Sequence, residues 1–307
     1  MPNQIKETDN QAIAYINTNK QTFHLLDKII SFDDTQDEIL HYPLPNIVIG
    51  SAGSGKTALT LEKLKTFNGN ILYVTLSPYL VENASAIYSS FGYENPNQHV
   101  DFLSFYEYLS TIKIPQGQEV TFQLFEQWIS RYRVSHKIKD AYKVFEEFKG
   151  VLTGSVVDKP YLSQDDYLNL GVKQSIFSQE ERPVIYDLFS RYIAWLKESN
   201  YFDSNLHAYE ILDLCKPIYD YVVIDEVQDI TNVQLMAILK SLENPNNFLL
   251  CGDSNQIVHP NFFSWSQIKT LFYKLHLIIF LCFNKIITRN IAVDSCIFSD
   301  IKNQNAS

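Results

Sequence analysis

One stretch limits the fold more than any other: Gly50-Ser51-Ala52-Gly53-Ser54-Gly55-Lys56-Thr57, which fits G-x-x-x-x-G-K-[ST]. Asn46-Ile47-Val48-Ile49 before it reads as an apolar strand, and Ala58 to Thr66 after it as a helix. A phosphate cradle needs a strand, a tight loop and a helix N-terminus in that order. Glycine at 50, 53 and 55 lets the backbone turn its N–H groups inward, in dihedrals that a Cβ resists. The start of the helix adds unpaired N–H groups and the positive end of its dipole. Lys56 then reaches β- and γ-phosphate oxygens, and the Thr57 hydroxyl ligates Mg2+. The competing reading is a Gly/Ser loop that binds nothing. It loses weight because an acidic partner motif occurs later in the chain.

The surrounding sequence predicts an α/β protein with a doubly wound parallel sheet. Ile71-Leu72-Tyr73-Val74-Thr75-Leu76 is short and apolar, as a strand buried on both faces must be. Pro78 to Phe91 has helical spacing and stops at Gly92, and His99 to Leu103 is a third candidate strand. Residues 1–45 read as polar and helical. From Tyr106 to Tyr209 the pattern changes to amphipathic helices. Phe122, Phe125, Trp128, Ile129 and Tyr132 share one face, and Val184, Leu188, Tyr192 and Leu196 recur every four. Aromatics at such spacing are far more often core than a ligand box. The expected organisation is a sheet domain from 1–105 and 210–270, a helical insertion at 106–209 with loops at Gly150–Gly154 and Lys159-Pro160, and an atypical tail at 271–307.

Two acidic motifs close later strands. Tyr221-Val222-Val223-Ile224 runs into Asp225-Glu226-Val227-Gln228-Asp229, with a helix expected from Asn232 to Leu242. Phe248-Leu249-Leu250-Cys251 runs into Gly252-Asp253-Ser254-Asn255-Gln256. Open α/β sheets bind ligands at this carboxyl edge, where the phosphate loop also lies. Asp225 is placed to hold Mg2+ and Glu226 to polarise an attacking water. Acids at a strand end that merely favour the next helix N-terminus are the plainer alternative. Gln256 is a candidate contact to the γ-phosphate or the water, and Trp265 a candidate for stacking a base.

The net charge of −10 argues against a uniformly basic coat but leaves room for a local binding groove. None of the four cysteines, Cys215, Cys251, Cys282 and Cys296, forms C-x-x-C, so neither zinc nor a disulfide framework is indicated. Cys215 and Cys251 sit in apolar runs and read as buried small hydrophobes. Met1 to Lys20 lacks an apolar signal core, which predicts a cytoplasmic chain without membrane contact.

Taken together, the motifs resemble the UvrD/Rep-like branch of superfamily 1 DNA helicases. Gln36, fourteen residues before Gly50, sits like that family's adenine-reading Q motif. Gly50 to Thr57 resembles its phosphate loop, Asp225 to Asp229 its DExQD, and Gly252 to Gln256 its GDxxQ. Thr75-Leu76-Ser77 and Ser104-Phe105-Tyr106 are weaker echoes of its strand-contacting motifs. The resemblance covers about 1–265 and implies a RecA-like P-loop motor that uses ATP and Mg2+ and moves 3′ to 5′ on single-stranded DNA. By that carry-over Gln36 reads adenine, residues 50–57 and Lys56 hold phosphate, Thr57 and Asp225 hold the metal, Glu226 serves the water and Gln256 senses the γ-phosphate. Gln228 couples nucleotide to DNA, and Thr75, Ser104 and Trp265 contact DNA, although the spacing from Gln256 to Trp265 exceeds the usual QxxYGW form.

Family members also need a second motor domain with arginines that reach the γ-phosphate. The 42 residues after Trp265 hold one arginine, Arg289, in a Thr-Arg-Asn setting, and the continuously apolar Leu275–Phe283. The expectation is a truncated or frameshifted end, with weak ATP binding and slow hydrolysis, or a partner chain that supplies the missing domain. Two other readings stay open: a non-catalytic nucleotide- or DNA-binding module, and a P-loop ATPase with no nucleic-acid role.

Overall fold

The protein is described from a computed structural model, which covers residues 22–25, 28–51, 53–90 and 93–253. Thr22–Leu25 (β1) and Lys28–Ser31 (β2) pair antiparallel, with Thr22 opposite Ser31. The helical reading of residues 1–45 fails here: Thr22–Leu25 alternates polar with apolar residues, and Lys28–Ser31 carries two β-branched isoleucines, both of which suit a strand. Asp34–His41 (α1) follows, then Asn46–Ile49 (β3), Lys56–Leu64 (α2), Gly69–Thr75 (β4), Pro78–Tyr88 (α3), Gln98–Ser104 (β5) and Phe105–Ile112 (α4).

The next stretch is mainly helical: Gln118–Glu119 (β6), Phe122–Ser130 (α5), Ala141–Glu146 (α6), a π-helical run Glu147–Thr153, Gln164–Leu168 (α7), Arg182–Glu198 (α8), Tyr201–Phe202 (β7) and Ser204–Ile211 (α9). The chain then returns through Tyr221–Ile224 (β8), a 3-10 turn Val227–Asp229, Asn232–Leu239 (α10) and Phe248–Gly252 (β9).

The five long strands form one sheet in the order β3-β9-β8-β4-β5, with every neighbouring pair parallel. Alternate residues feed two apolar layers, as a strand's two-residue period requires. Ile71, Tyr73, Val223, Leu249 and Cys251 pack with Leu59 and Leu64 of α2 and Ala84 of α3. Leu72, Val74, Val222, Ile224 and Leu250 pack with α4, α9 and α10 on the other face. This is a RecA-like α/β sheet, wound on both sides.

A third cluster, from Val120 to Leu196, belongs to the helices between β6 and β7. Phe125, Trp128, Phe148, Phe189 and Tyr192 form its centre, with ring centroids 5.1–6.4 Å apart. Its limits differ from 106–209 because α4 and α9 bury Phe105, Tyr108, Leu109, Ala208 and Ile211 against the sheet instead. Gly150–Gly154, expected as a loop, lies in and caps the π-helical run, whose Phe148, Val151 and Leu152 are buried. On α8 the buried stripe starts at Ile185, and Val184 faces solvent. Cys251 is buried as expected; Cys215 is only half-buried.

Candidate functional site

The C-terminal ends of β3 and β9 lie side by side, Ile49 opposite Gly252, and the phosphate loop leaves the sheet there. Gly53 and Gly55 hold φ of 73° and 78°, in the left-handed region that a Cβ disfavours. Gly55 is also the N-cap of α2, with no side chain closing the first turn, so the N–H groups of that turn stay available. A Cβ on Gly50 would meet Ser54 Oγ at 2.6 Å, so the loop closes this tightly only around glycine. Ser54 Oγ is itself buried and has no partner among the described residues. Lys56 is buried and folds back to donate to Ser51 O at 3.0 Å. An inward-turned lysine, an unpartnered hydroxyl and open helix N–H groups form a donor set that fits an oxyanion such as phosphate.

Asp225 ends β8 directly across from this loop. Thr57 Oγ1 donates to Asp225 Oδ2 at 2.8 Å, across 168 residues of chain. Tyr73 OH donates to the same oxygen at 2.9 Å, and Asp225 Oδ1 accepts from Glu226 N at 3.0 Å. Burial and then the neighbouring carboxylate push the Tyr73 phenol well above its ordinary value, so it stays a donor. The hydroxyl and carboxylate expected to share Mg2+ are therefore in contact, and the residues fit the ion. No group of three or more His, Cys, Asp or Glu that could hold a metal occurs among the described residues.

Glu226 sits at φ 51°, ψ 46°, one of two non-glycine residues with positive φ among those described. Such a backbone costs energy and is kept where the surroundings enforce it. The Glu226 side chain is in turn held by Gln228, whose amide donates to Glu226 Oε2 at 2.5 Å while its Oε1 accepts from Asp253 N at 3.0 Å. A Cβ on Gly252 would meet that Gln228 oxygen at 2.8 Å, so glycine there leaves the amide its place. Gln228 thus ties the Glu226 carboxylate to the end of β9, where the second acidic motif begins.

Residues 119–271 match the sequence model of the UvrD/REP helicase N-terminal domain. The chain carries a UvrD/REP-type helicase N-terminal domain. The match takes in both acidic motifs and leaves the phosphate loop outside it; in space the Thr57–Asp225 contact joins that loop to the UvrD/REP segment. Human TPR and ankyrin repeat-containing protein 1 is 30% identical over 168 residues, which is 50% of this chain and 6% of that protein. The chain therefore spans a small part of that relative's length.

Other expected UvrD/REP-type positions fall in several places. Gln36 does reach the loop, but both ends of its amide are engaged: Nε2 donates to Ser54 O at 2.9 Å, and Oε1 accepts from Asp33 N at 3.0 Å in the capping box of α1. Lys63 of α2 secures the far end of α1. Its buried ammonium donates to Ile39 O and Leu40 O at 3.0 Å and to Tyr42 O, and burial lowers its pKa to about 8. Thr75 and Ser104, expected to contact DNA, are 1% and 0% exposed. Ser104 caps α4 and donates to Glu107 Oε2 at 2.7 Å. The side chains that do face out at these strand ends are Leu76, Tyr79 and Tyr106, at 42%, 72% and 45% exposure. A cavity of about 480 Å³ opens beside Leu76, between the sheet edge and the helical insertion, lined also by Phe122, Tyr142, Phe145, Lys149 and Gln228.

Ala52, Gln256, Trp265, Arg289 and the apolar Leu275–Phe283 lie outside the described residues. No described helix is long and apolar enough to cross a membrane.

Proposed function

We infer that this chain binds ATP with Mg2+ at the edge formed by residues 50–57 and 225–226, and that it hydrolyses ATP in a cycle coupled to single-stranded DNA. The carrying observation is the 2.8 Å contact between Thr57 and Asp225, because a bland loop and a bland acidic turn have no reason to meet. In this reading Lys56 leaves Ser51 O for the phosphates. Thr57 turns its hydroxyl oxygen from Asp225 toward the cation. When bound, Mg2+ neutralises charge between the β- and γ-oxygens. Glu226, held by Gln228, orients the attacking water and accepts its proton. Gln228 passes any shift of Glu226 to the backbone at Asp253. The outward Leu76, Tyr79 and Tyr106 supply apolar and aromatic faces for unstacked bases, in place of Thr75 and Ser104. By family resemblance the direction is 3′ to 5′, with the parallel sheet and the helices packed on it as the motor and the helices between β6 and β7 as its insertion.

The test is ATP hydrolysis with and without single-stranded DNA, for wild type, Lys56→Ala and Glu226→Gln. DNA stimulation that both substitutions remove supports the reading. Wild-type protein that binds no nucleotide, or turnover that neither substitution changes, ends it. A salt titration of single-strand binding separates a DNA motor from a P-loop ATPase without that role, since phosphate contacts weaken steeply with salt.

A further inference from the structure

Tyr73 stands in the middle of an otherwise apolar stretch of β4, Ile71-Leu72-Tyr73-Val74, where phenylalanine or leucine would fill the same space. Its ring is buried and lies 5.1 Å from that of Phe102, tilted by 40°. A buried tyrosine keeps its hydroxyl only if the hydroxyl has a partner. Here the partner is the carboxylate proposed to hold the metal. Asp225 Oδ2 receives two O–H donors, Thr57 from the phosphate-loop helix and Tyr73 from the adjacent strand, while Oδ1 receives Glu226 N.

These donors are not equivalent. The Thr57 hydroxyl borders the loop and is needed by the cation. The Tyr73 hydroxyl comes from inside the sheet and is held by a ring with no room to move. A carboxylate oxygen offers two lone pairs, so Oδ2 is fully engaged and Oδ1 keeps one. The phenol therefore fixes the plane of the carboxylate from below, and it goes on fixing it when Thr57 turns toward a ligand.

We propose that Tyr73 is a positioning residue for Asp225, which sets how strongly this site holds a divalent cation. The inference rests on the Mg2+–ATP reading above. Groups that orient a metal ligand typically carry about 10- to 100-fold in metal affinity or activity, although they never touch the metal. Removing the Tyr73 oxygen leaves Asp225 with Thr57 as its one hydroxyl donor. Thr57 cannot both turn freely to the cation and hold the carboxylate alone.

The experiment is a Mg2+ titration of fluorescent ATP-analogue binding to wild type and Tyr73→Phe, with the analogue's affinity also measured in EDTA. Phenylalanine keeps the ring and its contact with Phe102. The expected result is a rise of about ten-fold in the half-saturating Mg2+ concentration with EDTA affinity unchanged. A merely space-filling tyrosine would move neither value, or would weaken nucleotide binding equally with Mg2+ and in EDTA through instability. Tyr73→Met, which keeps the site apolar without a ring, is read in the same way should Tyr73→Phe not fold. If the folded variant follows the wild-type Mg2+ curve, the Tyr73 assignment falls and the nucleotide reading stands. If wild-type protein shows no Mg2+-dependent nucleotide binding, both fall.

Discussion

Two of the carboxylates buried among the described residues look alike at the level of hydrogen bonds. Asp225 at the sheet edge takes Thr57 Oγ1, Tyr73 OH and Glu226 N. Glu147 in the helical insertion takes Tyr167 OH at 2.7 Å, Ile176 N at 3.0 Å and Ser175 Oγ. The difference lies in what surrounds them. Asp225 borders a glycine loop, a lysine and an open helix start. Glu147 is enclosed by the aromatic cluster, and buried Arg182 beside it donates to backbone carbonyls at Phe177, Leu168 and Gly171. Donor count alone therefore does not mark a functional acid; a neighbouring set of uncommitted donors does. Substitutions at the sheet-edge site, Glu226 included, should change turnover more than stability, and substitutions around Glu147 should do the reverse.

The sharpest way to break that contrast is Glu226→Gln, expected to lower DNA-stimulated hydrolysis by roughly 10²- to 10⁴-fold while thermal unfolding stays at the wild-type midpoint. A comparable fall in the midpoint would turn Glu226 into a structural residue. On the other side, Phe125→Ala opens the centre of the insertion and should cost about 3–5 kcal/mol in denaturant unfolding, with nucleotide affinity of the folded protein unchanged. Lost affinity at full folding would mean that the insertion shapes the site.

Glu147→Gln keeps the shape but presents an amide where Ile176 N needs an acceptor, and should cost about 1–3 kcal/mol. Burial holds the Glu147 carboxyl above its ordinary 4.5, against the pull of its donors and Arg182. A raised carboxyl stabilises the fold in its protonated form: the contribution is complete below 4.5 and is lost as pH climbs through the folded value. The deficit of Glu147→Gln should thus be larger near pH 4.5 than at neutral pH, and a deficit that is flat across that window contradicts the assigned shift. The smallest effect belongs to the solvent-exposed pair Arg191–Asp187, 2.9 Å apart on one helix. Arg191→Ala should change stability by less than about 1 kcal/mol, as urea unfolding would record.

The phosphate loop and DExQD were legible because their chemistry dictates residue type at fixed spacing. The parallel strands were legible because burial on both faces leaves only apolar runs. Ser104 reads as a DNA contact, although Ser104-Phe105-Tyr106-Glu107 carries the capping-box pattern that predicts a serine turned back on its own backbone. Tyr73 was not legible, since its partner is 152 residues away and a tyrosine among apolar residues reads as packing. The boundary at 106 misled for a similar reason. Phe105, Tyr108 and Leu109 have helical spacing whether they cover a sheet or other helices, and only the fold decides which. The pair β1 and β2 hid within a polar segment, since two runs of four residues are too short for either a strand or a helix pattern to stand out.

The Thr57–Asp225 contact has a consequence for how the protein is made. The glycine loop leaves the ribosome long before the acid that completes it, with the whole helical insertion still to be translated. At common elongation speeds the proposed metal grip stays half-made for on the order of ten to thirty seconds. The late strand must then slide in beside its early neighbour, so the grip closes as one of the last acts of folding and the insertion has time to form first.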